Sequence, residues 1–186
     1  MNLYISDLHF GHKNVIDFDN RPFNSVEEMD RMMIELWNQR VQKEDNVYIA
    51  GDFAYRNEKP EEWYLRQLKG HKHLIIGNHD TRLLKNDTAM AYFESVDKMM
   101  HVTDERHQIC LCHFPLAEWN GFRKGHWHIF GHYHNKTEGA YLYMRNLDRA
   151  LNAGCMINHY MPVSLKELVR NNQAFHENAI VNKNPM

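Results

Sequence analysis

The sequence is poor in cysteine, with three among its 186 residues. Cys110, Cys112 and Cys155 are odd in number and lack the spacing of a disulfide framework. Because Cys110 and Cys112 alternate within an apolar run, we expect both to lie as reduced thiols on one face of a buried strand. A zinc site built from these two thiols and His113 is disfavoured, since no second cysteine pair completes it. The cysteine content favours a reducing, cytoplasmic compartment.

Long apolar runs and an excess of basic residues are also absent. No stretch approaches the roughly 18 apolar residues of a membrane helix, and Asp7 interrupts the start before a secretory signal could form. The 22 basic and 24 acidic residues give a net charge of −2. The lack of a long apolar run argues against a membrane partner. The charge balance disfavours a nucleic-acid partner, while a local basic site stays open.

Length and composition predict a single domain over residues 1–186. Hydrophobic residues make up 43% and charged residues 25%, which is typical of a globular protein. An asparagine-rich tail from about residue 172 is predicted to be loosely held. The unusual feature is the number of histidines, which is 14.

Three helices are predicted from capping residues and apolar spacing. Ser25 and Glu28 have the spacing of a capping box, and apolar residues recur after them with the period of a helix. Pro60 opens a second helix that Gly70 ends, and Ser164 caps a third.

Short apolar runs predict six buried strands, at Leu3–Ile5, Val47–Ala50, Leu74–Ile76, Ile109–Cys112, His128–Phe130 and near Ala150–Cys155. In the first half, helices alternate with strands, which predicts parallel pairing. The polar middle of residues 99–112 indicates a hairpin, so the second half is predicted to be antiparallel. The fold class is therefore mixed α/β.

Five of these strands are followed at once by potential metal ligands. The carboxyl ends of strands in such sheets form the crevice where ligands bind. Glycines precede three of the polar residues and permit tight turns there. The set consists of Asp7, His9, Asp52, Asn78, His113, His132 and His134.

Seven oxygen and nitrogen donors are too many for one metal ion but suit two that share a carboxylate. Such pairs clamp a phosphoryl group between metals roughly 3.5–4 Å apart. Imidazole together with carboxylate favours two divalent ions of Mn, Fe or Zn. Two such ions (+4) with Asp7 and Asp52 (−2) leave a positive site, which favours an anionic substrate. A single Asp, Asn or His of this kind is more often a structural residue than a metal ligand. A metal centre is favoured because such residues follow five successive strands.

The motifs in this order resemble the calcineurin-like metallophosphoesterase superfamily. They are Asp7-x-His9, Gly51-Asp52, Gly77-Asn78-His79-Asp80, the single His113, and Gly131-His132-x-His134. The stretch from Asp7 to His12, with a later Arg21-Pro22-Phe23, is similar to small, stand-alone bacterial and phage members.

The resemblance implies a four-layer α/β/β/α sandwich with mixed sheets and a dinuclear site at the strand ends. It implies two groups of metal ligands bridged by Asp52: Asp7, His9 and His134 in the first, and Asn78, His113 and His132 in the second. It also implies that a metal-activated hydroxide attacks phosphorus. His79 would act as the catalytic acid or stabilise the transition state, oriented by Asp80.

One departure from the superfamily pattern lies after Asp52. Many relatives have a second aspartate where this chain has Tyr55, which predicts altered support of the site rather than loss of a metal. Three further residues are candidates for substrate binding. His12 follows the first motif closely, and Arg21 and Arg123 could bind a phosphate through their guanidinium groups, although a solvated loop charge is the commoner role for both arginines.

The resulting prediction is a phosphoester hydrolase acting on a small or nucleotide-like substrate, with a diester slightly preferred over a monoester. Two alternatives stay open: a catalytically inactive scaffold for protein partners, and a nuclease on short nucleic acids. The retained ligands and His79 disfavour the scaffold, and the absence of a basic stripe disfavours the nuclease.

Overall fold

The computed structural model of the chain describes residues 1–181 as two four-stranded sheets with helices around them. The strands are β1 (Asn2–Ile5), β2 (Asn46–Ile49), β3 (His71–Ile75), β4 (Phe93–Asp97), β5 (Met99–Asp104), β6 (His107–Cys112), β7 (Trp127–Phe130) and β8 (Ala150–Asn152). The helices are α1 (Asn14–Asp19), α2 (Val26–Arg40), α3 (Glu61–Leu65), α4 (Asp87–Met90), α5 (Tyr141–Met144) and α6 (Leu165–Val181). The prediction of a mixed α/β fold is confirmed.

The first sheet has the order β1-β2-β3-β4 and is parallel throughout. Its first strand is buried along most of its length, as expected of a strand covered on both sides, whereas β4 at the edge is only partly buried. On one face, Leu3 and Ile5 pack with Met29, Met33 and Trp37 of α2. That helix begins as predicted, because the Ser25 hydroxyl accepts a hydrogen bond from the Glu28 N–H at 3.2 Å.

The second sheet has the order β5-β6-β7-β8. The predicted hairpin forms between β5 and β6, with Asp104 paired to His107. The wider prediction of an antiparallel second half is wrong, because β6, β7 and β8 run parallel to one another. The connections explain this: the chain crosses back over the sheet between these strands, through a loop and then through α5, instead of turning tightly.

The two sheets face each other across a shared apolar core. Tyr4 and Ile75 of the first sheet pack there with Leu111, Ile129 and Leu151 of the second. Backbone hydrogen bonds also join β1 to the segment after β8, since the Ser6 N–H donates to the Ala153 carbonyl at 2.8 Å. The full four-layer order stays a prediction, because in the part of the chain described the outer face of the second sheet carries only loops and the short α5.

The predicted loose tail from about residue 172 lies partly outside the described residues, which end at 181, and up to that point the chain is helical. Helix α6 continues to Val181, and Asn171 and Asn172 are both buried. The Asn172 side chain accepts from the Asn152 N–H and donates to the Asn152 carbonyl, which fastens the helix to β8. Polar composition was misleading here because these amides are satisfied inside the protein.

All three cysteines are free and buried, and Cys110 and Cys112 lie on β6 as predicted. Among residues 1–181, no helix has both the length and the apolar character needed to cross a bilayer.

Candidate metal centre

The seven predicted ligands all follow the carboxyl ends of strands. Asp7 and His9 follow β1, Asp52 follows β2 and Asn78 follows β3, all in the first sheet. The second sheet contributes the other three from the ends of β6 and β7: His113, His132 and His134. Because the two sheets pack face to face, the structure brings both sets together at one rim.

The backbone at this rim is strained at five of the seven positions. The φ angle is positive at Asp7 (55°), His9 (52°), Asp52 (56°), His132 (74°) and His134 (55°). Non-glycine residues adopt this region rarely, and such conformations concentrate at functional sites. The surrounding loops hold the conformation, for example through the His9 N–H, which donates to the Asp52 carbonyl at 3.0 Å.

Two glycines allow the strand ends to approach each other. Gly51 has a φ of +91°, and a Cβ there would collide with the ring of His113. A Cβ on Gly77 would collide with the carboxylate and the backbone nitrogen of Asp52. Both positions therefore need the missing side chain, as the sequence analysis expected.

One group of donors surrounds Asp7. The Nε2 atoms of His9 and His134 lie 3.2 Å apart, and His134 Nε2 lies 3.8 Å from Asp7 Oδ1. Asp7 and His9 are buried, whereas His134 is partly exposed. One ligand atom from each of these three residues lies within 4.8 Å of the others, which is compact enough to hold one metal ion.

A second group of donors surrounds Asn78. Its Oδ1 lies 3.0 Å from His113 Nε2 and 3.0 Å from His132 Nδ1. Asn78 and His132 are exposed at the mouth of the site, whereas His113 is fully buried. The Asp52 carboxylate lies between the groups, with Oδ2 at 3.7 Å from His9 Nε2 and 3.5 Å from His113 Nε2.

Hydrogen bonds outside the centre fix two of the histidine rings. His113 Nδ1 lies 2.8 Å from the Ala50 carbonyl, and His134 Nδ1 lies 2.6 Å from Asp19 Oδ2. These partners select the tautomer that leaves Nε2 free to face the site, as is usual for metal-binding histidines. His9 differs, since its buried Nδ1 has no hydrogen-bond partner among the described residues.

Burial and neighbouring charges shift the proton affinities in the site. Burial raises the pKa of the Asp52 carboxyl, and the nearby Asp7 carboxylate raises it further. Burial alone would lower the pKa of His134, but its hydrogen bond to Asp19 and the charge of Asp7 raise it above its usual value. The same hydrogen bond lowers the pKa of Asp19, although burial opposes this.

The donors fit divalent metal ions. Asp7 and Asp52 are at most 1% exposed, and their carboxylates lie close enough to form one ligand group with His113. Two buried carboxylates so close together are unfavourable without a cation between them. Imidazole nitrogens and carboxylate oxygens suit Mn, Fe or Zn.

The predicted catalytic histidine lies at the edge of this centre. The His79 N–H donates to Asp52 Oδ1 at 2.8 Å, and its ring centre lies 5.5 Å from that of His9. The Tyr55 ring packs against the His79 ring with centroids 4.1 Å apart. The residue that replaces the second aspartate of the superfamily pattern therefore contacts the site.

His12, which is predicted to bind substrate, lies beside the centre in a buried position, and its role in substrate binding stays a prediction. It is 8% exposed, and its ring packs edge-on against Tyr55 with centroids 4.9 Å apart. Its Nδ1 has no hydrogen-bond partner among the described residues. Burial and the charge of Arg56 lower the pKa of His12 to about 4, so the ring is neutral near pH 7.

The prediction that Asp80 orients the His79 ring is not what the hydrogen bonds show. The Asp80 carboxylate is fully buried and accepts the backbone N–H groups of Gly77, Asp52 and Phe53 at 2.8–2.9 Å. Asp80 therefore ties the two ligand loops together through their backbones. It is a positioning residue for Asp52 and Asn78.

The prediction that Arg21 binds substrate phosphate is wrong. Its guanidinium is buried and donates to the carbonyls of Asp7 and Leu8 at 2.9 Å and to the Asp19 carboxylate at 3.3 Å. With these acceptors Arg21 braces the Asp7 loop from behind. Arg123 is exposed on the turn 122–124, and among the described residues it makes no hydrogen bond or ion pair with the seven predicted metal ligands.

Asp19 is the site residue that the sequence analysis missed. It ends α1, more than a hundred positions before His134, and the surrounding Asp-Asn-Arg sequence reads as an ordinary polar turn. No local signal distinguishes it from Asp17 on the same helix. Only the folded contact with His134 and Arg21 reveals its role.

The relatives of the chain were found by comparison with known proteins. An uncharacterized protein of Methanocaldococcus jannaschii, MJ1445, is 31% identical over 168 residues, which cover 89% of this chain and 88% of that protein. The chain belongs to the same family as this archaeal protein. No protein-family profile matches the chain.

Solved structures resemble the chain to different degrees. The protein of unknown function AQ665 from Aquifex aeolicus superposes with a TM-score of 0.71 at 26% identity, covering 91% of this chain and 98% of that one. A novel archaeal phosphodiesterase gives a TM-score of 0.47 at 16% identity, covering 82% of this chain and 81% of that one. The first likeness supports a shared fold, whereas the second is too weak to assign a fold or a function.

Proposed function

We propose that this protein is a dinuclear-metal-dependent phosphoester hydrolase of the calcineurin-like superfamily, acting on a small or nucleotide-like substrate. A phosphodiester is slightly preferred over a monoester. The observation that carries this proposal is the position of Asp52, whose carboxylate lies between two convergent donor groups. The four-layer sandwich and a cytoplasmic location, which the free cysteines favour, belong to the same proposal.

In this proposal each donor group holds one divalent ion, and Asp52 is shared. Asp7, His9 and His134 hold the first ion, and Asn78, His113 and His132 hold the second. Bound Mn, Fe or Zn ions would supply Lewis acidity toward the phosphoryl oxygens and an activated water molecule. The exposure of Asn78 and His132 leaves the second group open to an incoming phosphoester.

His79 supplies the proton in this proposal. Its backbone N–H is bonded to the shared Asp52 carboxylate, which fixes the residue beside the donor groups. The ring is partly exposed between His9 and Tyr55, so it is accessible to a substrate bound at the two donor groups. Donation of a proton at that oxygen accelerates hydrolysis by roughly 10²–10⁴-fold in enzymes that use it.

The test combines hydrolysis of aryl phosphomonoesters and phosphodiesters with metal counting on the Mn-loaded protein. We expect Asp52→Asn to lower the metal content and to abolish turnover, because the shared carboxylate is weakened. We expect His79→Ala to keep both metals and to lose turnover by roughly 10²-fold or more. Exposed residues provide the matched controls Asp148→Asn and His101→Ala, which should match the parent in both measurements.

Parent-like turnover in both Asp52→Asn and His79→Ala would overturn the site assignment. Two bound metals without hydrolysis of any phosphoester would instead favour the inactive scaffold. Rapid cleavage of short oligonucleotides with little activity on small diesters would favour the nuclease.

A further inference from the structure

A cavity of about 460 Å³ opens directly beside the candidate centre, and its lining includes Asn78 and His79. Three cationic side chains also line it: Arg56, Arg82 and Lys85. No acidic side chain is among the described residues of the lining. This concentration of positive charge contrasts with the chain's net charge of −2, and a field of this sign favours an anionic ligand.

Arg82 is held in place by the protein. Its Nε lies 3.1 Å from the Glu61 carboxylate, and its Nη1 donates to the Asn57 carbonyl at 2.7 Å. Glu61 is buried and is itself held by the amide groups of Asn57 and Asn86. The remaining nitrogen, Nη2, has no acceptor among the described residues. A guanidinium fixed in this way loses little conformational entropy when it binds an oxyanion.

Lys85 and Arg56 are less constrained. Lys85 is exposed on the turn Leu83–Lys85 and forms no ion pair within residues 1–181. The Arg56 guanidinium lies 5.3 Å from the centre of the Tyr55 ring, which in turn packs against His79. The three cations therefore line the same cavity as His79, and Arg56 is linked to it through Tyr55.

The cavity wall also offers a hydrogen-bond acceptor. Asn57 is 4% exposed and lines the cavity, and its Oδ1 has no donor among the described residues. Its amide nitrogen is already used by the Lys59 carbonyl and Glu61. A buried acceptor without a donor is costly, so a donor that reached this atom would be favourable.

We propose that this cavity binds the leaving group, and that the leaving group carries an anionic substituent of its own, as a phosphorylated alcohol does. The inference rests on the proposed function. In the hydrolysis, water adds to phosphorus and releases a proton to solvent, the bond from phosphorus to the leaving oxygen breaks, and that oxygen takes a proton from the His79 imidazolium, which solvent then protonates again. Because His79 lines the cavity, the departing group occupies it, and its anionic substituent contacts Arg82 and Lys85.

The test uses two aryl phosphoesters whose leaving phenols have matched pKa values, one neutral and one bearing a sulfonate. The measured quantity is the ratio of their kcat/KM values in the parent, in Arg82→Gln and in Lys85→Gln. We expect the parent to prefer the sulfonated substrate by roughly tenfold or more, as for hydrogen bonds to a charged group. Each variant should lose most of this preference through KM, and the preference of the parent should fall as salt is added.

The control is Lys43→Gln, which removes an exposed charge that precedes β2, at the opposite end of that strand from the site and outside the cavity lining, and should keep the parent's preference. An equal kcat/KM for both substrates in the parent would overturn the inference, as would a preference that survives in both cavity variants. Hydrolysis of neither ester would be a failure of the proposed function. In that case the affinities of the two matching non-hydrolysable phosphonates are measured by calorimetry. Tighter binding of the sulfonated phosphonate by the parent, lost in Arg82→Gln, would support the cavity assignment. Equal binding of the two phosphonates by the parent would refute it.

Discussion

At the scale of single residues, the side chains behind the proposed metal ligands form a continuous set of hydrogen bonds. Asp19 contacts His134 on one side and Arg21 on the other. Arg21 in turn holds the carbonyl of Asp7, so one buried chain of contacts reaches two ligands of the same donor group. Such supporting contacts orient ligands and tune their affinity for metal.

The substitution Asp19→Asn tests this support. An amide cannot accept the charged hydrogen bond from His134 Nδ1 as strongly as a carboxylate, so the ring loses its fixed orientation. We expect the affinity for the first metal to fall by roughly 10–100-fold, the usual size for loss of such a partner. Calorimetric titration of the metal-free protein with Mn measures this.

The control is Asp17→Asn, which makes the same chemical change on an exposed position of the same helix. Its metal affinity should equal that of the parent. An unchanged affinity in Asp19→Asn would mean that His134 is held by other contacts or is not a ligand.

At the scale of elements, the turn after each strand determines the site. Gly51 joins β2 to Asp52 with a positive φ and no room for a Cβ beside His113. Gly139 also has a positive φ, of 61°, but a Cβ there would meet nothing within 4 Å. An alanine at Gly139 would therefore introduce backbone strain alone, whereas an alanine at Gly51 would introduce both backbone strain and a steric clash.

We expect Gly139→Ala to lower the free energy of unfolding by about 1–2 kcal/mol, the cost of a left-handed conformation. Gly51→Ala should cost more, because the new methyl group also displaces His113, and it should reduce metal binding. Chemical denaturation and metal titration of both variants measure these effects. Equal effects of the two substitutions on both quantities would contradict the crowding at Gly51.

The strand-end pattern could be predicted from sequence because it is local. Each ligand follows a short apolar run, and the glycines before Asp52, Asn78 and His132 mark tight turns. Contacts between distant segments could not be predicted in this way. The buried role of Arg21 depends on carbonyls that only the fold brings near it, and the docking of Asn172 depends on β8.

Some elements gave too weak a signal to be predicted. Strand β4 lies at the edge of its sheet and has no fully buried residue, so its sequence lacks the apolar run of a central strand. The parallel pairing of β6 with β7 required knowledge of the crossover between them, which contains no regular helix that periodicity could detect.

At the scale of the whole molecule, the candidate centre joins two halves of the chain. The first sheet ends at Asp97 and provides four of the proposed ligands, and the second sheet begins at Met99 and provides three. Each metal ion bound there would therefore hold the two sheets together.

Removal of metal should consequently lower the thermal stability. A ligand present at a thousand times its Kd stabilises the folded state by about 4 kcal/mol, which corresponds to a Tm higher by roughly 8–16 °C for a chain of this size. Differential scanning calorimetry with Mn and with a chelator measures the shift. His113→Ala should remove most of it, whereas His101→Ala should retain it, and a full shift in His113→Ala would exclude His113 as a ligand.

The left-handed backbone at five of the ligand positions has a consequence for the order of events as the protein matures. An unfolded chain visits that conformation rarely at non-glycine residues, and rarely at all five together. The donor atoms consequently come into register only after both sheets have packed and their loops have closed. We therefore expect the polypeptide to fold first and to take up its metal afterwards, so that the speed of folding is the same whether metal is present or withheld.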